Sequence, residues 1–138
     1  MAITLSETAE TAAINAACNA IVDLLDAGSG AGHIRLTLAN GTTEVATCVG
    51  QDPFFGNAAA GVATQSGSAV DSDATGSASA VTLFQARDSD ATEVWNGTVG
   101  ESGEDLNIDD GTGGGGVIIE AGAVVTLSSI TFTVALAA

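Results

Sequence analysis

The sequence predicts a mainly β fold, an antiparallel β-sandwich or small jelly-roll-like barrel, with an N-terminal α-helix. Three observations predict it. Helical spacing of apolar residues is confined to the first segment, and beyond Gly32 the spacing switches to period two. Turn residues interrupt the second part at short intervals, as in Asn40-Gly41, Asp88-Ser89-Asp90 and Gly122. The length of 138 residues suits one domain. We divide the chain into an N-terminal helix and glycine-rich linker, 1–32, and a β domain, 33–138.

In the first segment Ile14, Ala17, Cys18, Ile21, Leu24 and Leu25 form one apolar stripe at spacings of three and four. Asn15, Asn19, Asp23 and Asp26 fall largely on the other side. Ser6 or Thr8 suits the N-cap, with Glu7 and Glu10 at the positive end of the dipole. Gly28, Gly30 and Gly32 end the helix.

HIRLTLANGTTEVATCV is the clearest strand pair. Ile34, Leu36 and Leu38 alternate with His33, Arg35 and Thr37. A two-residue type I′ turn at Asn40-Gly41 sets Leu36 opposite Val45, Thr37 opposite Glu44 and His33 facing Cys48, with Arg35 diagonal to Glu44. Pro53 then breaks the ladder, and Phe54 and Phe55 either plug one end of the core or stand exposed at a subunit contact. Residues 58–80 are small and polar, suited to weak strands or an adaptable arm. SASAVTLFQARD and TEVWNGTV form a hairpin around RDSDAT, and DLNI adds a short strand. DDGTGGGG reads as a flexible loop. The end is strongly β, with Ile130, Phe132, Val134 and Leu136 in alternation.

Charge excludes several function classes. Seventeen acids face two bases, Arg35 and Arg87, for a net charge of -15. Phosphate backbones are held by Lys and Arg, so no nucleic-acid partner is expected. Anionic membranes are repelled for the same reason. The surface stays soluble by self-repulsion and should tolerate high salt. Four Phe, one Trp and no Tyr leave a thin core that gains from neighbouring subunits. The N-terminus MAITLSETAETA has neither basic residues nor an apolar stretch, so a signal peptide is not expected. Cys18 and Cys48 are too few for a disulfide scaffold and read as small buried hydrophobes.

Candidate chemistry is sparse. DSDAT occurs at 71–75 and 88–92. Asp71, Asp73, Thr75 and Gly76 match the start of a calcium loop, but its twelfth position is Thr82 in place of a bidentate glutamate. From Asp88 and Asp90, the glycine position is Glu93. Turn chemistry explains both copies better, since Asp and Ser side chains bond their own backbone. His33 and Cys48 lack the orienting third group and anion pocket that a nucleophile needs. A sugar-stacking cleft is poorly supplied with aromatics, and DDGTGGGG lacks the Lys-Ser/Thr of a phosphate loop. Asn-Gly-Thr triplets at Asn40 and Asn96 match a glycosylation pattern, yet both read as turns. The residues therefore assign no catalytic group, no metal ligand and no cofactor.

NAACNAIVDLLDAGSGAGHIRL, DPFFGNAAAGVAT, DSDATGSASAVTLFQARDSDATEVWNGTVGESGEDLNI and IEAGAVVTLSSITFTV follow one another along most of the chain. In that order they resemble small virion proteins of tailed bacteriophages, the head decoration or cement-like proteins encoded near the major capsid gene. The resemblance implies a non-enzymatic structural role on the outer surface of the capsid, with the major capsid protein as partner. A β domain would sit on the shell while a helix or extension grips neighbouring subunits. A homo-oligomer, a trimer at a local threefold, suits that use. Ile14, Cys18, Ile21, Leu25, Phe54 and Phe55 are the expected interface residues. A tail or baseplate structural protein is the nearest alternative, and a calcium-dependent surface binding module a more distant one.

Overall fold

The structure, a computed structural model, describes residues 3–111, 113, 114 and 116–135. It is a mainly β domain with an N-terminal helix and a curled, open sheet. Helix α1 spans Glu7–Val22 and continues as a 3-10 turn, Asp23–Asp26. The strands are β1 (His33–Thr37), β2 (Glu44–Val49), β3 (Val62–Thr64), β4 (Ser68–Asp71), β5 (Leu83–Arg87), β6 (Glu93–Gly100), β7 (Leu106–Asn107), β8 (Val125–Ser128) and β9 (Thr131–Thr133). Seven form one sheet in the order β7-β6-β5-β1-β2-β4-β8, and β3 pairs with β9 in a second. All pairings are antiparallel except β6 with β7, which is parallel. The large sheet keeps two separate edges, β7 and β8, and does not close into a barrel.

Ser6 caps α1, its Oγ accepting from the Ala9 N–H at 3.3 Å. The buried residues are Cys18, Val22 and Leu25, while Ile14 and Ile21 are half-buried and Ala17 and Leu24 exposed. The buried line is narrower than the expected stripe because Ala17 and Leu24, seven residues apart, share one flank about 100° from Cys18, Val22 and Leu25. Asn15 and Asn19 are half-buried. Their Oδ1 atoms accept from the N–H groups of Gly61 and Ala58, both at 2.7 Å, and Asp26 Oδ1 accepts from Phe54 N–H at 2.9 Å. One polar row of the helix thus satisfies the backbone of segment 54–61, which has no continuous ladder of its own.

The β1–β2 hairpin departs from the expected turn. Leu38 donates to Thr43 O and accepts from Gly41 N–H, closing a four-residue loop, 39–42. Gly41 alone of the Asn-Gly pair has positive φ, at 69°, whereas a type I′ turn needs it at both. Thr37 does oppose Glu44, but a register shift next to it sets Leu36 opposite Ala46 and His33 opposite Val49. Val45 and Ala46 are consequently both buried, as a bulge requires. Arg35 Nε and Glu44 form the expected ion pair at 2.9 Å. The β5–β6 hairpin turns at RDSDAT as read from the sequence. Asn96 lies inside β6 and not at a turn, with its amide donating to Glu93 Oε1.

One core cluster includes Leu25 from the 3-10 turn, Ile34 and Leu36 from β1, Val45 from β2, and Phe54. Helix and β domain therefore share a core. Of the terminal alternation, Ile130, Phe132 and Val134 pack partly buried against it, and Leu136 lies outside the described residues. Thr112 and Gly115 of the glycine loop also lie outside them.

Candidate functional site

The aspartate-rich tips are spent on backbone. Asp88 is buried, and its Oδ1 accepts from the N–H groups of Asp90 and Thr92 at 2.9 and 2.8 Å. In the other copy Asp71 Oδ1 accepts from Asp73 N–H, while Oδ2 reaches across to Thr47 N–H in β2 at 2.8 Å. The second aspartates, Asp73 and Asp90, are exposed. Ser89 accepts from Gly30 N–H at 3.0 Å, which ties the glycine linker to the hairpin tip. Among the described residues no three His, Cys, Asp or Glu side chains converge as metal ligands would.

His33 and Cys48 belong to opposite faces of the large sheet. Cys48 pairs with Ile34 on the core side, while His33 pairs with Val49 and Arg87 on the other. The expected facing pair is not formed, because the bulge between Leu36 and Thr37 shifts the strand by one residue. Both thiols are free and buried. Burial, and next the charge of Asp71, pushes the Cys48 thiol up to about 12. Burial and the neighbouring Arg87 hold His33 below the usual imidazole range.

Of the expected interface residues, Cys18, Leu25 and Phe54 are fully buried in this chain, and Phe55 is 3% exposed. The two phenylalanines sit as plugs, with ring centroids 5.1 Å apart. Ile14 and Ile21 remain half-buried.

Two features were not found from the sequence. The first is a row across the outer face of the sheet, the face turned away from the core. Arg87, His33, Val49, Val70 and Thr126 are successive cross-strand partners. Val49 and Val70 are 51% and 38% exposed. Arg35 lies on the same face, where Arg35 and Arg87 both donate to Gln85 Oε1, at 3.0 and 2.6 Å. The face therefore gathers the chain's only histidine and both arginines beside its exposed valines.

The second is a groove of about 300 Å³ on the core side, between β1, β5, β6 and β9. Phe55, Phe84, Trp95 and Phe132 line it. Trp95 stands 4.7 Å from Phe132 and 6.1 Å from Phe55 between ring centroids. The exposed residues Asn96, Asp105, Thr131 and Thr133 form its rim. Asp105 Oδ2 accepts from the backbone N–H and hydroxyl of Thr98, both at 3.0 Å, which holds the carboxyl below its usual range. The four rings come from positions 55 to 132, so no local spacing signals their convergence.

No family model, no curated protein and no solved structure matches this chain. No described helix is long and apolar enough to cross a membrane.

Proposed function

We propose that this chain is a non-enzymatic structural virion protein that decorates and stabilises a bacteriophage capsid, binding across major capsid protein subunits on the outer surface of the head. The outer-face row carries the reading. Val49 and Val70 are direct neighbours across two strands and are exposed, with His33 and Arg87 continuing the row. On a chain of net charge -15 this face holds both arginines and the histidine beside exposed valines, so the local negative charge is offset where apolar contact is offered.

The packing of the β3–β9 pair over the large sheet supports a sandwich-like, jelly-roll-related arrangement as the finer description of the fold. A homo-oligomer, with a trimer as the preferred form, suits a protein clamping several shell subunits, because each attachment raises the local concentration for the next. Electron microscopy of purified particles tests the reading. Density for this chain over capsid subunits is expected. Density confined to tail or baseplate would replace the reading by its nearest alternative, and absence from particles would end both.

A further inference from the structure

We propose that the aromatic groove is a receptor for a single lysine or arginine side chain presented by a protein partner. The walls suit the alkyl stem of such a side chain, and the rim suits its charge. Phe84 and Phe132 supply ring surface together with Trp95, and ring faces attract cations. Asp105 supplies a carboxylate at the mouth. Its Oδ2 is fixed by two bonds from Thr98, while Oδ1 accepts from no described residue. Gly97 makes the arrangement possible, since a Cβ there would lie 2.6 Å from the Phe84 ring and 2.8 Å from Asp105 Oδ2. Ring and carboxylate approach each other over a strand position that carries no side chain.

Size and charge narrow the occupant. About 300 Å³ is at the small end of ligand sites, enough for one long side chain. An anionic ligand would meet Asp105 and a net charge of -15. A neutral apolar group would fill the walls but gain nothing from the carboxylate at the rim. A cation on an aliphatic stem uses both. The identity of the partner as a capsid subunit rests on the function proposed above, but the chemistry of the groove does not.

Trp95 is the only tryptophan and the chain has no tyrosine, so intrinsic indole fluorescence reports this groove alone. The intact protein is titrated with n-butylguanidinium and n-butylammonium, mimics of the two side chains, and with n-butanol as the neutral counterpart. The titration is run at about 0.15 M salt, where attraction beyond about 8 Å is largely screened and direct contact with the carboxylate is kept. A saturable change is expected with the two cations, at lower concentration than with the alcohol. Asp105→Asn keeps the acceptor for Thr98 and should weaken cation binding about five-fold. Asp73→Asn, at an exposed acid outside the groove, should leave it unchanged. Three results would overturn the proposal: equal response to butanol, unaltered binding in D105N, or no saturation with either cation. The titration needs no particle, so it can fail while capsid binding stands, or succeed while capsid binding fails.

Discussion

Gly97 in β6 stands directly opposite Phe84 in β5, and the Phe84 ring occupies the space a side chain at Gly97 would fill. Replacing glycine by alanine within a strand ordinarily gains some 0.5–1 kcal/mol from backbone entropy. Here the added Cβ would lie 2.6 Å from the Phe84 ring and 2.8 Å from Asp105 Oδ2. Overpacking of that kind costs about 1–3 kcal/mol, so the clash wins. Gly97→Ala is expected to lower the urea midpoint and to shift the Trp95 emission. An unchanged or raised midpoint would mean that the ring moves aside freely.

The two aspartates of each DSDAT copy are not equivalent. Asp88 is buried and accepts two backbone N–H bonds, whereas Asp90 is exposed. Asp88→Ala strands both donors and should cost about 1–3 kcal/mol. Asp88→Asn keeps an oxygen acceptor and should cost less, and Asp90→Ala should stay within about 0.5 kcal/mol. Chemical denaturation of the three variants checks the order. Adding calcium should leave the wild-type midpoint unchanged; a rise that Asp90→Ala abolishes would assign the tips to an ion instead.

Much of the fold was legible because local chemistry decided it. Ser6 as N-cap, the Arg35–Glu44 pair and the turn at Asp88 all depend on residues within a few positions of one another or on a single hairpin. The misreadings have non-local causes. The bulge next to Thr37 shifts one register and separates His33 from Cys48. Asn15 and Asn19 look like solvent-facing helix residues until segment 54–61 folds against them. Asn96-Gly97 has the composition of a turn, but Gly97 is needed in mid-strand for the close approach of Phe84. The aromatic groove and the outer-face row are assembled across strands, and neither leaves a motif.

His33 gives the protein a pH dependence with a definite sign. Burial and then Arg87 depress its folded pKa, with Arg35 acting the same way and Glu44 and Asp88 opposing. A depressed folded value means that folding favours the neutral ring. This contribution is complete above the ordinary histidine value of 6.5 and is lost as pH falls through the folded value. Wild-type stability should therefore decline as pH falls below the ordinary histidine value of 6.5 more steeply than that of His33→Asn. Parallel slopes in urea titrations below that value would remove the imidazole as the cause.

Thiol chemistry should be silent in the folded state. Both cysteines are buried and out of reach of a reagent, and the Cys48 thiol is in addition pushed up to about 12. An aromatic disulfide reagent should label no cysteine rapidly in the native protein and both after unfolding. Rapid stoichiometric labelling without denaturant would contradict the burial.

The most direct test of the adhesive account is rebinding to shells. Particles stripped of this protein are mixed with the wild-type chain and with a Val49→Asp, Val70→Asp double variant. The two positions face each other across β2 and β4, where paired carboxylates repel, so circular dichroism is used to establish that the double variant is folded before occupancy is compared. The account predicts that wild type restores occupancy on the shell and that the folded double variant does not. Equal occupancy by both would show that the outer-face valines are not the contact, and no occupancy by wild type would contradict adhesion to the capsid itself.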